Sequence, residues 1–547
     1  MGKRDPTISE RLLYLFNPEL GNRLYNDRLN QGAKTPDTAA PRMSYGMHGA
    51  SQTLNSLIGW ITNPGSAEDD IDLYSSTLRK RARDLFAGGG LARSGPQTLT
   101  TSVVGWGIQP KPKIDGEFLG LSDDEREQAE QAILREFRLW ADNTMCDAER
   151  QQTFYGLQQL AFLSMLMSGD VFALFGMQEN KRTPYQTTVR LLEADRICTP
   201  DTSGDSESVE TEGGGRIIDG VEIDKTGAVI KYHIASRSPN SMNDSSILEW
   251  TAIDAFGRDT GYPNILHVMT YERPEQRRGI PFVSAEIEQL KQFSRYMNAE
   301  LAANVVSAML TVFITSEDDD GRFGLEDAVN EDEKVTDDDF QLELAPGAVY
   351  SLPPGKHVDA VNPLRANNQF ETFVNTCIMT IASSMGSPKE VLVKKYESNY
   401  TAARASLLDF WRTVRVYRTR FNAAFNQPIY EQWLSEAVAS GRIDAPGFFE
   451  DPAVRQAWCG CMWVGASMGH VDPRKEVEAA ALRIANNITT QEQEASEYNG
   501  NDWSANIRQR KKEMSVLKEM HEQFGIAEQM PEQGQDDEGE EDEDNAE

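Results

Sequence analysis

Cationic side chains are scarce in this chain. Its 547 residues hold 54 Lys and Arg against 86 Asp and Glu, a net charge of -32, which on first reading speaks against a protein that grips nucleic acid over a broad basic surface. Cysteine is scarcer still. Cys146, Cys198, Cys377, Cys459 and Cys461 form an odd set of 5, which argues for free thiols rather than a disulfide framework. No apolar run approaches the ~18 to 20 residues that cross a bilayer, and the opening MGKRDPTISERL lacks the apolar core of a signal peptide. The expectation is a soluble protein made in a cytoplasm, with no membrane partner.

Enzymatic signatures are equally thin. There is no G-x-x-x-x-G-K-[ST] phosphate loop; Gly88, Gly89 and Gly90 lead into LARSGPQ without the required lysine and helix. No H-E-x-x-H string occurs, and the six histidines are scattered. Gly465, Ser467 and Gly469 match the G-x-S-x-G string of a hydrolase nucleophile elbow, with His470 next, but Asp472 and Pro473 start the following helix too late for one. In Asp318, Asp319, Asp320, Gly321 the glycine comes two places too early for a calcium loop. Cys459 and Cys461 would share one face of a strand, yet no second Cys or His pair accompanies them. The reading is no catalytic residue, no metal and no cofactor.

What is present is a patterned, multi-part chain, long enough for roughly three or four modules. Between Glu317 and Asp339 there are twelve acidic and two basic residues, and between Glu532 and Glu547 ten acidic and none basic. Each stretch carries -10, so these two segments hold -20 of the -32. The last reads as a disordered acidic tail. Residues 1 to about 65 read as an extended arm, DDIDLYSSTLRKRARDLFAGGG as a helix with Leu73, Leu78, Ala82 and Leu85 on one side, and TLTTSVVGWGIQPKP as a short strand-like run. Helices follow at about 122 to 142 and 151 to 168, then a β-rich part from about 186 to 272. A helix over 284 to 310, about 42 Å long at 1.5 Å per residue, and another over 363 to 385 enclose the acidic insert. Further helices are expected from Asp472 and Pro473 to about Asn486, after Thr490 with Gln493, and near 502 to 523.

The most informative stretch is Ser398 to Leu434. Ala403, Leu407, Phe410, Trp411, Val414, Tyr417, Phe421 and Phe425 recur at the three-and-four spacing of an amphipathic helix, and Arg404, Arg412, Arg415, Arg418 and Arg420 crowd its other surface. Ahead of it VLVKKYESNYT has no helical or strand periodicity. A polar loop on a long helix suits contact with a polyanion.

LRKRARDLFAGGGLARSGPQTLTTSVVGWGIQP, FYGLQQLAFLSMLMSGDVFALF, LLEADRI with IDGVEIDKTGAVIKYHI, SNYTAARASLLDFWRTVR and VDPRKEVEAAALRIANNITTQEQEASEYNGNDW together resemble, in order, the lambda-type family of tailed-bacteriophage portal proteins. The resemblance runs from about residue 60 to 510. It implies a mainly helical α+β fold assembled as a ring, usually of twelve subunits, around a central channel at one capsid vertex. Its parts would be an N-terminal arm at 1–65, a wing at 66–283, stem helices at 284–311 and 361–385 around a clip at 312–360, a tunnel loop at 386–400, a wing helix and return at 401–471, a crown at 472–525 and the tail at 526–547.

The implied function is packaging and ejection of double-stranded DNA, with terminase, major capsid protein, scaffold and head-tail connector as partners. The implied place is the virion, with assembly in the host cytoplasm. A different head-tail adaptor, or a hydrolase using Ser467, are the alternatives. A channel rich in Lys and Arg would stall a sliding duplex, since each neutralised phosphate adds affinity; an acidic or neutral wall with few mobile contacts would not. Lys394, Lys395, Tyr396, Ser398, Asn399 and Tyr400 are the candidate DNA-facing residues. Arg404, Arg412, Arg415 and Arg418 are candidates either for DNA or for bridging to a neighbouring subunit.

Overall fold

The computed structural model describes residues 65–200, 209–211, 213–241, 246–308, 312–314, 349–351, 370–396, 400–468, 473–499 and 503–524. Residues 1–64 of the expected arm, the acidic insert 317–339 and the acidic tail lie outside these.

A π-helical turn at Glu68–Asp72 leads into α1 (Leu73–Gly88). Of the expected apolar row Ala82 is buried and Leu85 packs on the same cluster, whereas Leu73 is exposed; the polar Ser75 and Arg79 are buried as well. The next stretch corrects two expectations. LARSGPQTLTTSV is a helix, α2 (Leu91–Val103), where the β-branched residues suggested strand and the glycine run suggested no helix. Ala92, Gly95, Pro96, Leu99 and Val103 are buried, and the hydroxyls of Thr100, Thr101 and Ser102 donate to carbonyls four residues back. Tertiary burial and local bonds together override β-propensity.

After β1 (Gln109–Pro112) and the single turn α3 (Gly116–Leu119) comes α4 (Asp123–Ala141), opened by a capping box between Ser122 and Glu125. Helix α5 (Phe154–Ser168) follows, capped by Thr153. Strands β2 (Asp170–Met177) and β3 (Thr187–Glu193) form an antiparallel sheet in the order β3-β2-β9 with β9 (Ile265–Met269). Between them in sequence, β4 (Val209–Glu210), β5 (Arg216–Ile218), β6 (Val221–Ile223), β7 (Val229–Ala235) and β8 (Trp250–Asp254) make a five-stranded antiparallel meander.

Helix α6 (Ile287–Ala308) runs to β10 (Val312–Ile314), which pairs in parallel with β11 (Val349–Ser351), and α7 (Phe370–Ser384) returns. The two helices are antiparallel: Tyr296 packs on Phe370 and Phe373, ring centroids 6.0 and 5.0 Å apart, while Leu290 shares a buried cluster with Ile381 and Ala382. The short α8 (Lys389–Val393) precedes α9 (Tyr400–Phe421), which passes through a π-helical turn at Asn422–Asn426 into α10 (Gln427–Ala439). Helix α11 (Pro452–Trp458) leads to β12 (Cys461–Val464), paired antiparallel with β1. The chain ends in α12 (Pro473–Ala485), α13 (Gln491–Asn499) and α14 (Trp503–Phe524).

The main core joins α4, α5, α9 and α10 through aromatic rings. Phe137 meets Trp433 edge-on at 4.9 Å, and Trp140 donates its indole N–H to the Thr187 carbonyl at 2.8 Å. Burying side chains of this size contributes about 2 to 3 kcal/mol each, with edge-to-face contacts adding to it. The core thus anchors the far half of α9, leaving its near half to carry the polar loop.

Candidate functional site

The polar loop has a rigid base. Val391 and Leu392 of α8 are buried, one in the main core and the other in the cluster under the helix pair, and Ser94 of α2 donates to the Leu392 carbonyl at 2.9 Å. Gly95 fits closely there, and a Cβ on it would lie 2.9 Å from the Met385 sulfur and displace it. Lys394 then turns the chain: it is left-handed, φ 60°, ψ 33°, and caps α8, with the Lys395 N–H donating to the Glu390 carbonyl. The segment expected to be irregular therefore begins with a helical turn. Lys394, Lys395 and Tyr396 are exposed beyond it. Ser398 and Asn399 lie outside the described residues, and Tyr400 opens α9.

Along α9, Phe410, Val414 and Phe421 are buried, with Leu407, Trp411 and Tyr417 partly so, in line with the sequence periodicity. The arginines separate. The expectation of DNA or a neighbouring subunit for Arg418 is corrected: its guanidinium donates to the carbonyls of Val103 (2.9 Å), Ser102 (2.8 Å) and Ala466 (2.8 Å) of its own chain. Two of these are the last carbonyls of α2, which a helix leaves without internal partners and which attract a cation. Burial, with Arg415 nearby, lowers the Arg418 pKa to about 10, so it stays charged at neutral pH. Gly465 is held against it, because a Cβ there would approach Arg418 Nε to 2.6 Å. Arg404 pairs with Glu476 of α12 at 3.5 Å. Arg412 makes only a loose exposed contact with Asp409 at 3.9 Å, and Arg415 is exposed.

A buried ionic cluster, which no local sequence signal marks, fixes α1, both sheets and the entry to α6. Arg278 is fully buried and donates to Asp170 (2.7 and 3.3 Å) and to the carbonyls of Ile197, Asp219 and Ala194. Arg79 reaches the Asp219 carboxylate at 2.9 Å, and Arg83 bonds Asp195 and Ser168. Burial pushes the Asp170 carboxyl up, but Arg278, His267 and Arg79 outweigh it and hold it well below the ordinary range. Beside this cluster Gly169 and Gly279 touch backbone to backbone: a Cβ on Gly279 would sit 2.0 Å from the Gly169 carbonyl oxygen. Phe282 N–H then bonds the Leu166 carbonyl at 2.8 Å, just before the turn at Ser284–Glu286 that opens α6.

The hydrolase arrangement is missing where it can be tested. Ser467 follows β12 in irregular chain and no helix starts at it; α12 begins at Pro473, while Gly469 and His470 lie outside the described residues. Burial pushes the Cys459 thiol up to about 12. Among the described residues no group of three or more His, Cys, Asp and Glu could hold a metal ion, and no helix is long and apolar enough to cross a membrane.

The described residues thus form a helix-rich α+β body with a long antiparallel helix pair, and exposed Lys394, Lys395 and Tyr396 follow a helical turn that is buried at Val391 and Leu392. The chain belongs to the lambda family of phage portal proteins, whose family model matches residues 54–418. It is 24% identical over 502 residues to portal protein B of Escherichia phage lambda, covering 87% of this chain and 91% of that protein. With the portal protein of Escherichia phage N15 it shares 24% identity over 503 residues, 87% of this chain and 92% of that one. Among solved structures it is similar to a chain of the native gene transfer agent virion, TM-score 0.42 and 12% identity over 77% of this chain and 92% of that one.

Proposed function

We propose that twelve copies of this portal protein close into a ring at one capsid vertex, and that double-stranded DNA is packaged and ejected through its channel. Terminase would dock first and the head-tail connector afterwards, with the major capsid protein and scaffold around the ring during assembly in the host cytoplasm. The observation that carries the ring is the helix pair: Leu301 and Val305 of α6 and Phe373 and Met379 of α7 are all exposed in one protomer. Apolar side chains at that density on two adjoining helices suit burial against copies of themselves. Helix α14 repeats the pattern, with Ile507, Met514, Leu517 and Met520 exposed.

In this reading Lys394, Lys395, Tyr396, Ser398, Asn399 and Tyr400 face the channel, where twelve short loops can touch the phosphate backbone in turn without reading sequence. Arg412 and Arg415 remain available to a neighbouring copy, whereas Arg404 links α9 to α12. Negative-stain imaging with light scattering on purified protein tests the ring. Annular particles with a central hole and a mass near twelve times 61.1 kDa are expected; a monomer at all concentrations overturns it.

A further inference from the structure

Beside Lys394 lies an open groove of about 690 Å³ between α2 and α5. We propose that it is a second phosphodiester-binding surface, which extends the loop's contact with DNA along each protomer; the inference rests on the reading of the protein as a DNA channel.

Its chemistry stands apart from the rest of the chain. About one residue in six is Asp or Glu, yet positions 85–114, which include α2, contain none, and neither do positions 150–169, which include α5. Among the described residues no carboxylate lines the groove. The cations at its edge are Arg93 and Lys394, both exposed, and neither makes an ion pair among the described residues. Arg93 only lies over the Phe86 ring, 5.4 Å from its centroid.

Between the cations, neutral donors face the groove. Arg93, Gln97 and Thr101 follow at i, i+4 and i+8, hence on one face of α2, and all three are exposed. Gln152 and Gln159 face them from the α5 side. The hydroxyls of Thr100, Thr101 and Ser102 bond back to the helix and Ser94 donates to the Leu392 carbonyl, so the groups of the groove left for a ligand are the two cations and the side-chain amides.

Cationic and side-chain amide donors such as these are groups that proteins use on phosphate oxygens. They are also too few to hold a duplex firmly, since affinity grows with each phosphate neutralised. Base edges need not enter, so the contact is indifferent to sequence.

The test uses assembled rings of the full chain and a fluorescent 30-base-pair duplex, titrated by anisotropy from about 50 to 200 mM NaCl. Arg93→Gln with Lys394→Gln should leave rings intact, weaken binding about tenfold at the low-salt end and flatten the salt slope by about 2 per engaged protomer. Gln97→Glu, which touches neither cation, should weaken binding in the same direction by placing a carboxylate in the groove. Intact variant rings that bind as the parent does overturn the proposal. Variants that no longer form rings identify the groove as a contact between copies and overturn it too. Parent rings that bind no duplex refute the DNA-channel reading, and the groove with it.

Discussion

Replacing Arg278 with Met removes a guanidinium that is fully buried and bonded bidentately to Asp170 at 2.7 and 3.3 Å, with three backbone carbonyls and the Asp219 carboxylate at 2.9 Å as further partners. Methionine fills much of the volume but leaves the Asp170 charge in a dry site, with Arg79 near and with His267, 3.3 Å away, and the Gly279 N–H as its hydrogen-bond partners among the described residues. Breaking one side of a buried pair costs about 3 to 5 kcal/mol. The first melting transition should therefore fall by several °C. Circular dichroism melting at pH 7.5 reads this directly. Arg278→Lys should recover little, because one ammonium cannot reach Asp170 and three carbonyls on separate segments. Adding Asp170→Asn to the Met variant should restore part of the loss, since the stranded charge is then gone. A Met variant that melts within about 1 °C of the parent would refute the claim that this cluster holds α1, the sheets and the entry to α6 together.

Two other side chains give independent checks. Burial, reinforced by Asp219, raises the Asp72 pKa from 3.8 to about 7 against the opposing pull of Arg278, so between about pH 4 and 7 the folded chain holds a proton that the unfolded chain has lost. Stability from this group therefore falls as pH rises, and the parent should lose about 2 to 3 kcal/mol more than Asp72→Asn between pH 5 and pH 8; parallel urea-midpoint profiles would contradict it. Arg418→Gln strands the carbonyls at the end of α2 and should cost about 2 to 4 kcal/mol with faster amide exchange there, while Arg412→Gln, on an exposed contact, should stay within about 0.5 kcal/mol. Equal effects from the two arginines would sink the distinction drawn between them.

How much was legible in advance varied with the range of the signal. The apolar rhythm of α9 marked Phe410, Val414 and Phe421 as buried, and the structure buries them. The expected helices at 122–142, 284–310 and 363–385 appear as Asp123–Ala141, Ile287–Ala308 and Phe370–Ser384, with 363–369 of the last outside the described residues. The Ser122 capping box and Pro473 at a helix start are signals read within one turn. Helix α2 departs from its sequence pattern because Thr and Val are ambiguous until burial decides.

The sequence by itself determined where apolar faces recur, where helices start, which classical enzyme motifs are absent and where acidic charge accumulates, because each is a property of neighbours along the chain. Only the tertiary structure decided what the charged residues do. Arg418 and Arg412 lie six positions apart on one helix, yet one closes the end of α2 and the other is exposed. Arg278 meets Asp170 across 108 positions. A charge is worth little at the surface and several kcal/mol in a dry site, and that environment is built by segments far apart in sequence.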